Sequence, residues 1–478
     1  MQRHHISATA SLTLSVCIVF IFLMNGCGRS SGLEATDAGK TLSYVPGMPN
    51  FDIETVTALE GDSYGIDLFL NIPALSLTFE KSPSGFTAID EFTARVRNRT
   101  NGAVVLDRTW FDTTSVDTYE MTQRSEPFSV MKHVSVPPGT YVVESSLEDR
   151  STRKSTRHAQ SIVVPALDRL QPDLSKILIQ SRHPDGRFTP VVTFHIPSGL
   201  DSLRALVNIV NVAPGSRIVV QAFVLRFNSD TAAALPPYAY TALPLPVGYR
   251  QIVFENPDTI WTDLRTLVPD QSSILAPFSI SSLKPGIYII DVRAKLRAYG
   301  ATADTVLGTW RYFSIRGRTF PRPSTLDELV EAMRYIATDK EMKYLHASRT
   351  PEEKRLRFDS LWISFAHDPQ AAANLIKKYY TRVEDANRLF TTTKEGWKTD
   401  HGLLYVVLGP PIEVTSRLDT ETWYYSLSGG SSDDQFIFKR LTASNENLSF
   451  ENYFLYRSGL YERIWDRIVA KWRSGEGY

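Results

Sequence analysis

Apolar and polar residues alternate at a period of two over the first two thirds of the chain, and a 3.6-residue period takes over in the last third. Between about Phe51 and Val164, short runs such as Tyr64–Ile72 and Phe92–Arg97 carry apolar residues at alternate positions. That spacing turns one side of an extended strand toward a core and the other toward water. Asn101-Gly102, just ahead of Ala103–Leu106, predicts a tight type I′ hairpin. A second region of this kind runs from about Leu174 to Ile315, with strands expected near Val191–His195, Ile218–Phe227, Tyr249–Phe254 and Trp310–Ile315. One segment recurs: Pro138-Gly-Thr-Tyr-Val-Val-Glu144 returns 147 residues later as Pro285-Gly-Ile-Tyr-Ile-Ile-Asp291. A Pro-Gly turn launching a strand is expected in both places, and the echo predicts duplication of one unit.

The helical pattern begins after Pro323. Ser324-Thr-Leu-Asp327 resembles a capping box, and Leu326, Leu329, Val330, Met333 and Ile336 form one apolar face. Thr350-Pro351-Glu352-Glu353 predicts a second helix start, with proline at the first helical position and acid in the first turn. Asp368-Pro369 predicts a third, with Leu375, Tyr379, Val383, Ala386 and Phe390 on its stripe and an end near Lys394. Leu403–Leu408 then reads as a strand, followed by a rigid Leu408-Gly-Pro-Pro411 turn and strands at Glu421–Tyr425 and Gln435–Phe438. A closing amphipathic helix is expected over Leu460–Trp472. The fold class predicted is multidomain: two all-β immunoglobulin-like sandwiches followed by an α+β C-terminal domain.

Composition narrows the function classes. The 478 residues balance 52 Lys+Arg against 52 Asp+Glu, which argues against a nucleic-acid binder that relies on bulk positive charge. The two cysteines, Cys17 and Cys27, exclude a disulfide scaffold, a cysteine-rich zinc site and an iron–sulfur cluster. Both lie in or just after a short basic start and an apolar run reaching Met24, the pattern of a secretory signal peptide. Leu23-Met-Asn-Gly-Cys27 resembles a bacterial lipobox, and the resemblance implies cleavage before Cys27, a diacylglyceryl thioether on its sulfur and an acylated amino group, with palmitate among the acyl chains. Gly28 in place of aspartate favours the outer membrane. The expected boundaries are a signal peptide at 1–26, a lipidated flexible tether at 27–47, sandwiches at 48–166 and 167–318, and the α+β domain at 319–478.

Gly396-Trp397-Lys398-Thr399-Asp400 matches the defining motif of the bacterial GWxTD domain. Tyr379–Val383, Ala386-Asn387 and Phe390 before it resemble that family too, as do Gly402, Tyr405, Gly409, Pro410, Pro411, Glu413 and Trp423–Tyr425 after it. His401 departs from the arginine usual there. The family is one of exported proteins with β-domains ahead of the motif and no established activity, so the resemblance transfers no catalytic residues. The order Leu403–Leu408, Leu-Gly-x-Pro turn and Trp-x-Tyr strand also resembles small outer-membrane assembly lipoproteins.

The motif supports two readings. In one, Gly396 caps the preceding helix in a left-handed conformation, Trp397 plugs a helix–sheet junction, Thr399 and Asp400 bind loop amides, and Gly402 lets the backbone enter a strand. In the other, Asp400 and His401 form an acid–base pair helped by Glu395 or Glu413; adjacent residues on an extended segment point apart, which weakens that pair. The histidines at 133, 158, 183, 195, 346 and 367 have no metal-ligand spacing, and no cofactor motif occurs. Gly429–Asp434 reads as a hairpin turn in preference to a calcium loop, and Lys377-Lys378 and Lys439-Arg440 read as solvated faces. The expected function is a lipid-anchored envelope protein with a non-catalytic binding or assembly role and an envelope protein partner. The alternatives are a hydrolase of envelope peptide or glycan, and a carbohydrate-binding surface.

Overall fold

The computed structural model describes residues 47–477 apart from 61–62, 124–126, 165, 167–171, 183–185, 192–193, 198–201, 240–251, 298–301, 417–419, 427–433 and 442–451. Cys17, Cys27, the signal segment, His183 and most of the Gly429–Asp434 loop therefore lie outside the described residues. No helix among the described residues is long and apolar enough to cross a membrane.

The first β unit contains β1 (Asp52–Glu60), β2 (Ser63–Ile72), β3 (Glu80–Ser82), β4 (Gly85–Asn98), β5 (Val104–Val116), a single helical turn α1 (Tyr119–Thr122), β6 (Phe128–Ser135), β7 (Gly139–Asp149) and β8 (Lys154–Val164). One sheet runs β1-β2-β6 and the other β3-β4-β7-β8, with β5 also pairing β4. The period-two pattern sends Ile66, Leu68 and Leu70 from the first sheet, and Phe92, Ala94, Tyr141 and Val143 from the second, into one shared core. The β4–β5 hairpin forms, but not through a type I′ pair. Gly102 takes a left-handed φ of 72° and Asn101 does not, whereas type I′ needs both. The turn instead spans Asn98 to Ala103, closed by the Asn98 amide on the Ala103 carbonyl at 2.8 Å.

The second unit contains β9 (Asp173–Leu174), β10 (Leu178–Arg182), β11 (Phe188–Pro190), β12 (His195–Pro197), β13 (Ser202–Val210), β14 (Ile218–Ser229), β15 (Ile252–Leu267), β16 (Ser273–Ser281), β17 (Gly286–Arg297) and β18 (Asp304–Arg316). Its sheets run β11-β10-β13-β16, with β9 on β13, and β12-β18-β17-β14-β15. Within them, β10-β13-β16 repeats the order of β1-β2-β6, and β18-β17-β14-β15 repeats β8-β7-β4-β5. The sequence echo lies at equivalent places, at the starts of β7 and β17. Tyr141 donates its hydroxyl to the Pro137 carbonyl and Tyr288 to that of Lys284, each at 2.7 Å and four residues back. Both rings are buried, so each hydroxyl needs a partner and finds the same one. The two units also touch: Arg311 on β18 lies 3.5 Å from Glu54 on β1 and donates to the carbonyls of Ile177 and Val191.

Asp90 is a local fault in the first unit. It lies on the core side of β4, beside Asp112 on β5 and Asp149 on β7 in the strand register. It is 1% exposed, and neither carboxylate oxygen has a hydrogen-bond partner. Burial, helped by Asp112 and opposed by Lys132, pushes its pKa up from 3.8 to about 6. The unfolded chain releases this proton near 3.8 while the folded chain keeps it to about 6, so stability falls as pH rises through that window and the whole cost remains above it. Asp90→Asn is expected to stabilise the chain near neutral pH by about 2 kcal/mol after solvent screening, and to flatten its stability between about pH 4 and 6. Urea unfolding across that range checks it; a variant no more stable than the parent near neutrality would contradict the assignment.

The C-terminal region contains α2 (Leu326–Ala332), α3 (Asp339–His346), α4 (Pro351–Ala366), α5 (Pro369–Phe390), α6 (Asp400–Leu408), β19 (Glu413–Ser416), β20 (Thr420–Tyr424), β21 (Gln435–Leu441), β22 (Asn452–Leu455) and α7 (Glu462–Arg473). The expected helix starts hold. Thr325, Thr350 and Asp368 each accept from the amide three residues on, and Thr325 completes a capping box with Glu328. Two expectations do not hold. Leu403–Leu408 is not a strand but the body of α6, and α5 ends at Phe390, short of Lys394. α3 and β22 were not anticipated. α6 is buried on every side and is surrounded by α5, α7 and the β19-β20-β21-β22 sheet. With no polar face it shows no helical period, which is why it reads as a strand.

Candidate functional site

The Gly396–Asp400 motif links α5 to the buried α6. Gly396 does not cap α5. It opens a short 3-10 turn, Gly396–Lys398, and its need for glycine comes from contact and not from a left-handed φ. A Cβ at Gly396 would fall 1.8 Å from the Ala386 carbonyl oxygen, and one at Gly402 would fall 1.8 Å from that of Gly396. α5, the turn and α6 are thus pressed backbone to backbone at two glycines. Thr399 is the N-cap of α6: its hydroxyl oxygen accepts from the Gly402 amide at 3.1 Å and donates to the Gly396 carbonyl at 2.7 Å. Trp397 is buried edge-on against Tyr335, whose hydroxyl donates to the Trp397 carbonyl at 2.9 Å.

Asp400 and His401 open α6 and enter different surroundings. Asp400 is 4% exposed; its Oδ2 accepts from the Leu455 amide at 2.8 Å, and its Oδ1 from Arg457 Nη2 at 2.5 Å. His401 lies among rings, stacked on Trp423 with centroids 4.8 Å apart and 4.0 Å from that of Phe438. Its Nε2 is 3.0 Å from Glu421 Oε1, off hydrogen-bonding geometry, and the same oxygen accepts from the Trp423 indole at 2.6 Å. Of the suggested helpers, Glu395 pairs with Lys398 at 2.7 Å, and Glu413 is exposed on β19. Burial alone would raise the Glu395 pKa, but Lys398 outweighs it and holds the carboxyl below its usual range. The structure therefore does not bring the suggested acid–base group together. Arg457, the partner of Asp400, was not anticipated because it stands 57 residues downstream with no local signal.

The motif is also where the second β unit meets the C-terminal region. After β14, residues 230–238 run across the motif. Lys394 reaches Asp230 at 3.2 Å and the Ala232 carbonyl at 2.8 Å, and the Ala234 amide donates to the Lys398 carbonyl at 2.9 Å. Arg457, while holding Asp400, also donates to the Leu235 carbonyl at 3.2 Å. On the other side, His195 Nε2 donates to the Thr391 carbonyl at 3.1 Å, and Arg316 donates to that of Thr392 at 2.6 Å. With Nε2 protonated, His195 Nδ1 accepts from Ser314 Oγ at 2.7 Å and from Arg316 Nε at 3.3 Å. Burial, then Arg316, holds this imidazole far below its usual pKa, so it stays neutral. Ser314 is fully buried, and the constellation ties a helix end to a sheet.

Residues 298–474 match the family model of the GWxTD domain. This is a GWxTD domain-containing protein. In this GWxTD protein the motif residues are packing and wiring elements, and Gly409 and Pro411 close the far end of α6, Gly409 with φ of 86°. The likeness to small assembly lipoproteins rested on a strand before the Leu-Gly-x-Pro turn, and that element is a helix. Two solved structures share a weak likeness. Red sea bream transglutaminase is 9% identical over 56% of this chain and 31% of its own, with a TM-score of 0.17. A DUF4785 family protein from Legionella pneumophila is 10% identical over 55% of each chain, with a TM-score of 0.16. The alignments thus span about a third and about half of those proteins, and neither carries weight for fold or function. No curated protein matches the chain. No group of three or more histidine, cysteine or acidic side chains among the described residues has metal-binding geometry.

Proposed function

We propose that the protein is a lipid-anchored component of the bacterial cell envelope, held through Cys27 in the outer membrane, with a non-catalytic binding or assembly role toward an envelope protein. The observation that carries the non-catalytic part is the separation of Asp400 and His401 into two buried networks, neither offering an open face to a substrate. A general acid or base must come within hydrogen-bond reach of the group it serves; the Asp400 carboxylate is held by Leu455 and Arg457, and the His401 Nε2 is enclosed among aromatic rings. The β units support a display role as two immunoglobulin-like sandwiches. The paired tyrosines, each returning its hydroxyl to the backbone four residues upstream, resemble the tyrosine corner of that architecture.

Cys27→Ala is expected to move the protein from the membrane fraction to the soluble fraction, because two or three acyl chains anchor stably and none would remain. Fractionation with acyl labelling checks it; a variant that stays with the membrane and keeps its label would sink the anchor. The hydrolase alternative predicts that purified protein releases fragments from envelope peptide or glycan and that His401→Ala abolishes this without unfolding. The non-catalytic reading predicts no release by either. A carbohydrate-binding role has one observation in its favour, Trp310 standing 47% exposed on β18. Retention on insoluble polysaccharide, lost in Trp310→Ala, would support it.

A further inference from the structure

An open cavity of about 480 Å³, nearer a surface groove than an enclosed pocket, lies between the outer face of α5 and the Gly409-Pro410 turn that ends α6. Its size is within the range that holds small ligands. Lys377, Lys378 and Arg382 line it together with a single carboxylate, Asp385, above a floor that includes Tyr405 and Pro410. Asp385 is already engaged by Arg388 at 3.0 Å. Arg382 is fixed in place: it donates to the carbonyls of Val406 and Val407, and a Cβ at Gly409 would come 2.9 Å from its guanidinium. Lys378 and Arg382 both lie over the Trp472 ring, at 5.9 and 5.3 Å. Lys377 and Lys378 are exposed, and neither forms an ion pair with a carboxylate among the described residues.

From this geometry we infer that the cavity is a binding site for a phosphate-bearing ligand. Three cations against one committed carboxylate leave an excess of two positive charges, which matches a phosphate monoester dianion. Asn374 and Thr381 add neutral donors on the same helix face, and the apolar floor suits the carbon skeleton beside the phosphate. Burial, then the nearby Arg382, lowers the Lys378 pKa, the like-charge crowding that a bound anion relieves. The family motif acquires a reason here, since Gly409 and Pro410 shape the wall against which Arg382 is set. The inference does not depend on the anchoring proposal.

The ligand's source is either a soluble phosphate ester or a lipid headgroup, and the probes separate them. Full-length protein is titrated calorimetrically with glycerol 3-phosphate and, separately, with phosphatidylcholine vesicles with and without phosphatidic acid, only the difference between the two vesicles being counted because a lipid anchor would enter both. Saturable binding of glycerol 3-phosphate, with Kd below about 1 mM, assigns a soluble ester, and binding to the phosphatidic acid vesicles alone assigns a headgroup. Lys377→Ala/Lys378→Ala is expected to weaken either interaction at least about tenfold at an unchanged melting temperature, and Lys→Arg at both positions to retain it. Should the double alanine variant melt lower, Lys377→Gln alone, at an exposed position, is expected to weaken binding severalfold. Absence of saturable binding to both probes, or equal affinity in the variants, overturns the site.

Discussion

Gly402→Ala is expected to unfold the C-terminal region while leaving the β units folded. A methyl group at this position would fall 1.8 Å from the Gly396 carbonyl oxygen and 2.8 Å from the Trp397 Cα, both backbone atoms that cannot rotate away. Relief would require α6 to move off the 396–398 turn, which breaks the Thr399 cap and pulls Leu403 to Leu408 from a fully packed core. Overpacking of side chains costs about 1–3 kcal/mol, and a backbone clash exceeds it, so a loss of at least about 4 kcal/mol is expected. A chain of several cores need not melt in one step. Calorimetry should therefore show one transition lost or moved far down and another retained. A variant with the parent's thermogram would mean that the two backbones do not meet at this point.

The second large effect concerns Asp400. Asp400→Ala removes the acceptor of the Leu455 amide and strands Arg457, whose side chain is 14% exposed. Removing one partner of a buried pair costs about 3–5 kcal/mol, mostly because the other charge remains uncompensated. Arg457→Met strands the Asp400 carboxylate in its turn, with only the Leu455 amide still donating to it, and the Leu235 carbonyl loses its donor, so a loss of similar size is expected. The double variant should then be little worse than Asp400→Ala alone, a coupling that a double-mutant cycle measures directly. Strictly additive losses would mean that Asp400 and Arg457 do not act on each other. Leu455 begins the exit from β22, so the same substitution should raise amide exchange along the β21–β22 edge.

Much of the architecture was legible because it rests on local rules. Alternation placed β2, β4 and β14, and the Pro-Gly-x-Tyr echo marked equivalent strands in two β units with the same pairing order. Helix starts were legible at Thr325, Thr350 and Asp368, where a side-chain oxygen satisfies an amide within one turn. α6 was not, because Leu403 to Leu408 are apolar on every side and a short apolar run has no period to distinguish helix from strand. Its termini did carry signals: Thr399 with Asp400 behind it is an N-cap with acid in the first turn, and Gly409 stands where a helix stops. α3 had one as well, the Thr338–Glu341 capping box. The requirement for glycine at 396 and 402 was not legible, since it arises from backbones meeting across the fold and not from a turn. The Asp400–Arg457 pair and the crossing of residues 230–238 are long-range in the same sense, and nothing near them in sequence announces either.

Arg457 joins Asp400 to the Leu235 carbonyl, a partner 222 residues earlier in the chain. Synthesis delivers the 230–238 segment first, and it must wait for the 222 residues that bring Arg457. Closing so long a loop costs conformational entropy before any contact repays it, so this junction belongs to the late, slow part of folding. Until Arg457 is made, Asp400 lacks its cation, and the peptide at 230–238 is held at the motif by Lys394 and Lys398 without it. A nascent chain stalled before Arg457 would therefore leave Asp400 uncompensated and the Leu235 carbonyl without its donor, although the earlier contacts of the junction can already form.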